Sequence, residues 1–251
     1  MWLAIDTATD RASVALGAPG GPVLEENLAG ARRHASQLLP MIEALLRRSG
    51  ATLDDVAGVV LSDGPGSFTG LRVGAAVAKG LVRTRGIPLW TAPSLLVRAC
   101  GILDASAGDL GIERNRAGEA AVLAVTDALR GEVYAAAYRF TVDEIVVELA
   151  PSVWQPAALM QRLARPAALI GELPAALRAL LEQWAEQSMI QPPAGAAHAA
   201  RLIDLVGRAG GAVRVDDVTS WEPVYGRPAE AQVRWEMTHG RPLPNPAGSS
   251  S

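Results

Sequence analysis

Residues able to do chemistry gather in Leu61-Ser62-Asp63-Gly64-Pro65-Gly66-Ser67-Phe68-Thr69-Gly70-Leu71-Arg72-Val73-Gly74. Such a glycine loop before a helix can present N–H groups to an anion. It can equally be a tight strand-to-helix turn, where glycine permits close approach. Three common motifs fail by one residue. The dinucleotide fingerprint G-x-G-x-x-G is one residue too short for Gly64, Gly66 and Gly70. Leu71 stands where a Walker loop needs Lys. Ser67 directly follows Gly66, so no G-x-S-x-G elbow forms. Ser67 and Thr69 lack a base in recognisable relation, with only His34, His198 and His239 in the chain, so both read as caps of the next helix. Asp6, Thr7 and Thr9 close the first apolar string. They read either as a hairpin facing nucleotide phosphates, with the carboxylate toward a metal, or as the caps of a β-turn.

The elements that position these groups follow from periodicity. Met1–Asp6, Ser13–Leu16 and Val23–Glu25 read as strands, then a helix over about 35–48, a strand over 56–62, a helix over 70–85 and a short strand over 87–90. The order recurs about 120 residues later. Leu123–Asp127 matches Leu3–Asp6, Arg130–Tyr138 matches Arg11–Leu16, and Val146–Glu148 matches Val23–Glu25. Helices over 156–163, 174–186 and 196–208 follow, with a strand at 168–171 between the first two. The fold class expected is α/β, two β-β-β-α-β-α lobes of the actin/Hsp70-like ATPase (ASKHA) kind. The lobes are placed at 1–104 and 119–217. Residues 218–240 are expected to pack back on the first, and 241–251, rich in Pro, Gly and Ser, to be a disordered tail.

Two helices carry more apolar or small residues than one packing direction needs. Leu38, Leu39, Met41, Ile42, Leu45 and Leu46 exceed the usual stripe of about 100°. Gly70, Gly74 and Ala78 recur every fourth position, which lets another helix come close. Either helix can be internal or can face a partner. Arg32, Arg33, Arg47 and Arg48 read as solvated charge, or as contacts to RNA phosphates or partner acids. Net charge is −3, which gives no basic field for nucleic acid. The single cysteine, Cys100, rules out an internal disulfide and a thiolate metal cage. With no leader pattern and no apolar run of about 20 residues, a cytoplasmic protein without membrane contact is expected. Mean hydropathy is +0.18, from abundant Ala or from an apolar face kept for a partner.

Gly64-Pro65-Gly66-Ser67-Phe68-Thr69-Gly70-Leu71-Arg72, with Ala78-Lys79-Gly80-Leu81, resembles the TsaB family, the dimerisation subunit of the bacterial tRNA threonylcarbamoyladenosine machinery. Ala4–Thr9, His34–Pro40, Asp127–Tyr134 and Glu222–Ala231 resemble further family pieces in the same order, with Ala8 in place of the usual second hydroxyl. The resemblance implies an ASKHA fold and a non-catalytic scaffold that binds TsaD and, with it, TsaE. It puts the interface on Leu38, Leu39, Met41, Ile42, Leu45, Leu46, Gly70, Gly74 and Ala78. It implies a weak homodimer when alone, tRNA contact only through the complex, and no intrinsic cofactor, with ATP or ADP and Mg entering at the complex interface. TsaD places a metal-binding histidine pair after the next strand; Leu89–Leu96 has no His, Asp, Glu or Cys there. Three rivals remain: an ASKHA-fold small-molecule kinase, a glycoprotease-like metallopeptidase, and a self-associating structural protein.

Overall fold

The computed structural model describes residues 1–30, 34–103, 120–226 and 238–239. The lobe boundary at 104–118, the tail, Arg32, Arg33 and most of the stretch after 226 lie outside them. The first unit runs β1 (Trp2–Asp6), β2 (Arg11–Gly17), β3 (Val23–Ala29), α1 (His34–Ser49), β4 (Gly58–Ser62), α2 (Phe68–Arg85), β5 (Leu89–Ala92) and α3 (Ser94–Ala99). The second runs β6 (Ala120–Asp127), β7 (Val133–Phe140), β8 (Ile145–Trp154), α4 (Pro156–Arg162), β9 (Ala168–Glu172), α5 (Ala175–Ala185) and α6 (Ala199–Leu205), after which β10 (Val213–Arg214) joins the first sheet beside β5.

The two sheets share one plan. The first is ordered β10-β5-β4-β1-β2-β3 and the second β8-β7-β6-β9. In each, three antiparallel strands are joined by a fourth that runs parallel to the first, β1 with β4 and β6 with β9. Alternation along β1 explains the layers. Leu3 and Ile5 face outward into a core with α1 and α2, while Ala4 faces inward. Between the sheets the helices cross over. α3, from the first unit, packs on β6, β7 and β9, and α6, from the second, packs on β1, β2 and β4.

Some elements differ from expectation at their ends. The strand expected at 87–90 is β5 at Leu89–Ala92, because Gly86 caps α2 in the left-handed region and the Ile87 N–H still bonds the Val82 carbonyl. The helix expected at 196–208 is α6 at Ala199–Leu205, preceded by an extended His198. The chain returns to the first unit at β10, antiparallel to β5, and stays there. Val218 and Trp221 pack on its outer core, Lys79 pairs with Glu222, and the Val224 N–H bonds the Asp63 carbonyl at 2.7 Å.

Candidate functional site

A cleft of about 720 Å³ opens between the units. Its walls are the β1–β2 turn (Ala8, Thr9, Asp10), the glycine loop (Gly66–Phe68), the β6–β7 turn (Asp127–Leu129) and the end of β9 (Glu172). Tyr134 and Tyr225 add aromatic surface. Phe68 and Tyr225 stack with ring centroids 4.6 Å apart, and the Arg72 guanidinium lies 4.3 Å over Phe68.

Each turn uses some of its backbone donors on itself. Asp6 Oδ1 accepts from Ala8 N at 3.0 Å, and Thr9 Oγ1 accepts from Arg11 N at 3.1 Å. In the second unit Asp127 Oδ1 accepts from Leu129 N at 2.8 Å, and Ala128 N bonds the Glu132 carbonyl. Both carboxylates accept from the N–H two residues on, but Asp127 stands one position later along its strand than Asp6: with Leu3 and Leu123 both facing outward, Thr126 takes the place of Asp6. An N–H engaged in this way is not offered to an anion in the cleft. The lining also holds three carboxylates, on Asp10, Asp127 and Glu172, and no Lys or Arg among the described residues.

The glycine loop is a close-packing turn. A Cβ on Gly66 would stand 2.2 Å from the Ala8 carbonyl oxygen, and one on Gly70 2.0 Å from that of Thr7. The Ser67 N–H bonds the Ala8 carbonyl at 2.7 Å, and the Ser67 hydroxyl accepts from Gly70 N at 3.2 Å as the N-cap of α2. Asp63, at the start of the loop, is pushed up to about 6 by burial, opposed by a hydrogen bond with Thr91.

Placement of the expected site residues needs two corrections. Of the nucleotide-facing group only Thr9 lines the cleft; Asp6 and Thr7 are 1% and 0% exposed beneath the turn. β1 alternates, so Asp6 points inward, while Thr7 points toward Gly74 of α2. Burial raises the Asp6 pKa against the Ala8 N–H and the Arg98 charge. Of the nine interface residues, Leu38, Ile42, Leu45, Leu46, Gly70, Gly74 and Ala78 are buried within the chain. The physical reason is that α1 is covered from two directions, by the sheet and by α2, which uses up its wide apolar face. Gly74 and Ala78 turn toward β1 and the outer core. The surface the two helices leave open carries Leu39 (53% exposed), the half-buried Met41, Val73 and Val77, and the exposed Ala76 and Gly80. Arg47 and Arg48 are paired, with Glu43 and Glu26. α3, where the resemblance puts the enzyme's metal pair, is buried along its length, with Leu95, Leu96 and Val97 in the core between the sheets.

Sequence reasoning missed the buried polar group on the inner face of the first sheet. Arg98 is 2% exposed and donates to the Gly195 carbonyl at 2.7 Å; His198 meets Glu25 at 3.2 Å. The partners stand 97 and 173 positions apart, and no local spacing signals them.

Two lobes that share a four-strand plan, each with a carboxylate-closed turn at a shared cleft, define a protein of the actin-like ATPase fold. A family profile described as "TsaD: tRNA N6-adenosine threonylcarbamoyltransferase" matches residues 23–177. The chain belongs to this family, in its TsaB/YeaZ-like branch. It is 37% identical over 137 residues to the tRNA threonylcarbamoyladenosine biosynthesis protein TsaB of Escherichia coli, covering 55% of this chain and 54% of that protein. It is 44% identical over 87 residues to TsaB of Haemophilus influenzae, covering 35% and 36%. The chain thus spans about half and about a third of the length of these two relatives. The solved structure of YeaZ from Pseudomonas aeruginosa superposes with a TM-score of 0.66 at 27% identity, covering 89% of this chain and 98% of that one.

Proposed function

We propose that this chain is a non-catalytic subunit of the tRNA threonylcarbamoyladenosine machinery. It binds a TsaD-type threonylcarbamoyltransferase and, with it, TsaE. The complex transfers a threonylcarbamoyl group to N6 of adenosine 37 in tRNAs that read ANN codons, in the cytoplasm. The observation that carries the reading is that each cleft turn spends a backbone donor on its own carboxylate, Ala8 N on Asp6 and Leu129 N on Asp127, while the lining has three carboxylates and, among the described residues, no Lys or Arg. A kinase needs donors and cations for its phosphates, and this lining offers few. The packed α3 supports the same reading, since its side chains fill the core between the sheets. Against a peptidase, the Ser67 hydroxyl serves as a helix cap, and among the described residues no three His, Cys, Asp or Glu side chains cluster to hold a metal. Among the described residues no helix is long and apolar enough to cross a membrane. ATP or ADP with Mg enters at the interface of the complex.

The partner face is the open surface of α1 and α2, centred on Leu39, Ala76 and Gly80. The test is reconstitution with the TsaD and TsaE of the same cell, following threonylcarbamoyl transfer to tRNA. Transfer should require this chain, and Leu39→Glu with Ala76→Glu should abolish co-elution with TsaD while the melting curve stays unchanged. Threonylcarbamoyl transfer or sustained ATP turnover by the lone chain would refute the scaffold role. Co-elution at wild-type strength by the folded double variant would move the interface elsewhere.

A further inference from the structure

We infer that His198 is held as an imidazolium that clasps α6 to the edge strand β3, and that removing its proton loosens the packing between the two halves of the chain. The geometry around the ring carries this. Nδ1 lies 3.2 Å from Glu25 Oε2, and Nε2 lies 3.3 Å from the Pro193 carbonyl oxygen. Both neighbours are acceptors only. A neutral imidazole has one N–H and leaves its second nitrogen lone pair against an acceptor; the imidazolium satisfies both.

The clasp joins distant parts of the chain. Glu25 lies on β3, and α6 begins right after His198. Glu25 Oε1 also accepts from Ala200 N at 3.1 Å, and the Ser13 hydroxyl of β2 accepts from Ala199 N at 2.9 Å. So the first turn of α6 is tied to β2 and β3, and α6 covers the inner face of the first sheet. The charged groups around the ring are few. Glu25 faces it from β3, and Asp6 acts on it from β1. From α3, Arg98 gives its Nη1 to the Gly195 carbonyl, and on α6 itself Arg201 pairs with Asp204. Glu26, the next residue on β3, is held by Arg48 of α1.

The proton balance agrees with the geometry. The hydrogen bond to Glu25 raises the His198 pKa above 6.5, against burial. For Glu25, burial is the largest influence and would raise it, but the bonds from His198, Ala200 and Asn27 together hold it below 4.5. A group whose folded pKa is raised stabilises fully below its unfolded value and loses that stabilisation as pH rises through the folded one. The Glu25 contribution is lost as pH falls through its own depressed value. The clasp is therefore tightest between about pH 4.5 and 6.5 and opens on the alkaline side.

The experiment is a ring-proton NMR titration of the full chain, which has three histidines; a His198→Gln variant identifies the signal. The wild-type His198 signal should titrate above 6.5 and move down in Glu25→Gln. Amide exchange in residues 199–205, corrected for its intrinsic pH dependence, should speed up above the His198 pKa while that in β7 does not. The urea midpoint should fall between pH 6 and 8.5 in wild type more than in His198→Gln. A His198 that titrates at or below 6.5, or whose α6 amides ignore its titration, would overturn the clasp. If Glu25→Gln does not fold, the wild-type titration and exchange decide by themselves.

Discussion

Three glycines of α2 make a graded test of how this helix is seated. In a helix interior Gly→Ala stabilises by about 0.5–1 kcal/mol, because it removes backbone freedom from the unfolded chain. What the new methyl group meets then decides the sign. At Gly80 it meets nothing within 4 Å, so the full gain should appear, about 1–4 °C in Tm for a chain of this size. At Gly74 it would stand 2.4 Å from Thr7 Oγ1 and 3.2 Å from Leu61 Cδ1. The Thr7 hydroxyl has no hydrogen-bond partner among the described residues and can turn away. An off-rotamer side chain costs about 0.5–1.5 kcal/mol, which cancels the gain. At Gly70 the obstacle is the Thr7 carbonyl oxygen at 2.0 Å, which is backbone. The start of α2 must lift from β1 and strain the Ser67–Ala8 bond. Overpacking costs about 1–3 kcal/mol, so Gly70→Ala should lose up to about 2 kcal/mol net. Thermal melts of the three variants give the order Gly80→Ala above Gly74→Ala above Gly70→Ala, with wild type next to the middle one. A Gly70→Ala protein as stable as wild type would show that α2 does not rest on the first turn as described. A Gly80→Ala protein that melts lower would mean that face is already covered, for instance by a second copy.

Three further outcomes follow from burial and charge. Burial holds the Asp63 pKa at about 6, so its contribution to stability falls as pH rises from 3.8 to about 6 and is flat above. The interval is worth about 3 kcal/mol, and Asp63→Asn should gain up to that amount at pH 8 and almost nothing at pH 4; an equal effect at both pH values in urea unfolding would disprove it. Leu45 is fully buried, so Leu45→Glu should cost more than about 4 kcal/mol and leave little soluble protein, whereas Leu39→Glu should shift the melt by less than about 0.5 kcal/mol. Ser67→Ala removes the cap on α2 and should cost about 1 kcal/mol in thermal unfolding; in a reconstituted complex, activity should fall only with folded protein, and a stable but inactive complex would make Ser67 a reacting group.

The duplication is legible in the chain because a strand order leaves its mark locally. Leu3–Asp6 and Leu123–Asp127 carry similar apolar strings before a carboxylate, the second one residue longer at Thr126, and both end at a turn into an antiparallel strand. The glycine loop is legible as a loop but not in purpose. Glycine serves an anion or a close backbone equally, and only the Ala8 and Thr7 carbonyls opposite Gly66 and Gly70 separate the two. The width of an apolar helix face says how much must be covered, not what covers it; on α1 both the sheet and α2 do so. Six-residue α3 and two-residue β10 are too short to show a period. The Glu25–His198 contact spans 173 positions and has no local trace.

The exchange of α3 and α6 between the sheets bears on synthesis and on cutting the chain. The inner face of the first sheet, with Ala4, Ala15 and Val60, is covered by a helix made about a hundred residues after the last residue of α3. At ribosomal rates of about 5–20 residues per second, that face stays open for roughly 5–20 seconds on the nascent chain. It is a natural target for a holding chaperone during that interval. For the same reason neither half can be excised as a free-standing module. Fragments 1–103 and 120–226 should each be insoluble alone and should form a native pair when co-expressed, since each carries the helix that the other sheet lacks.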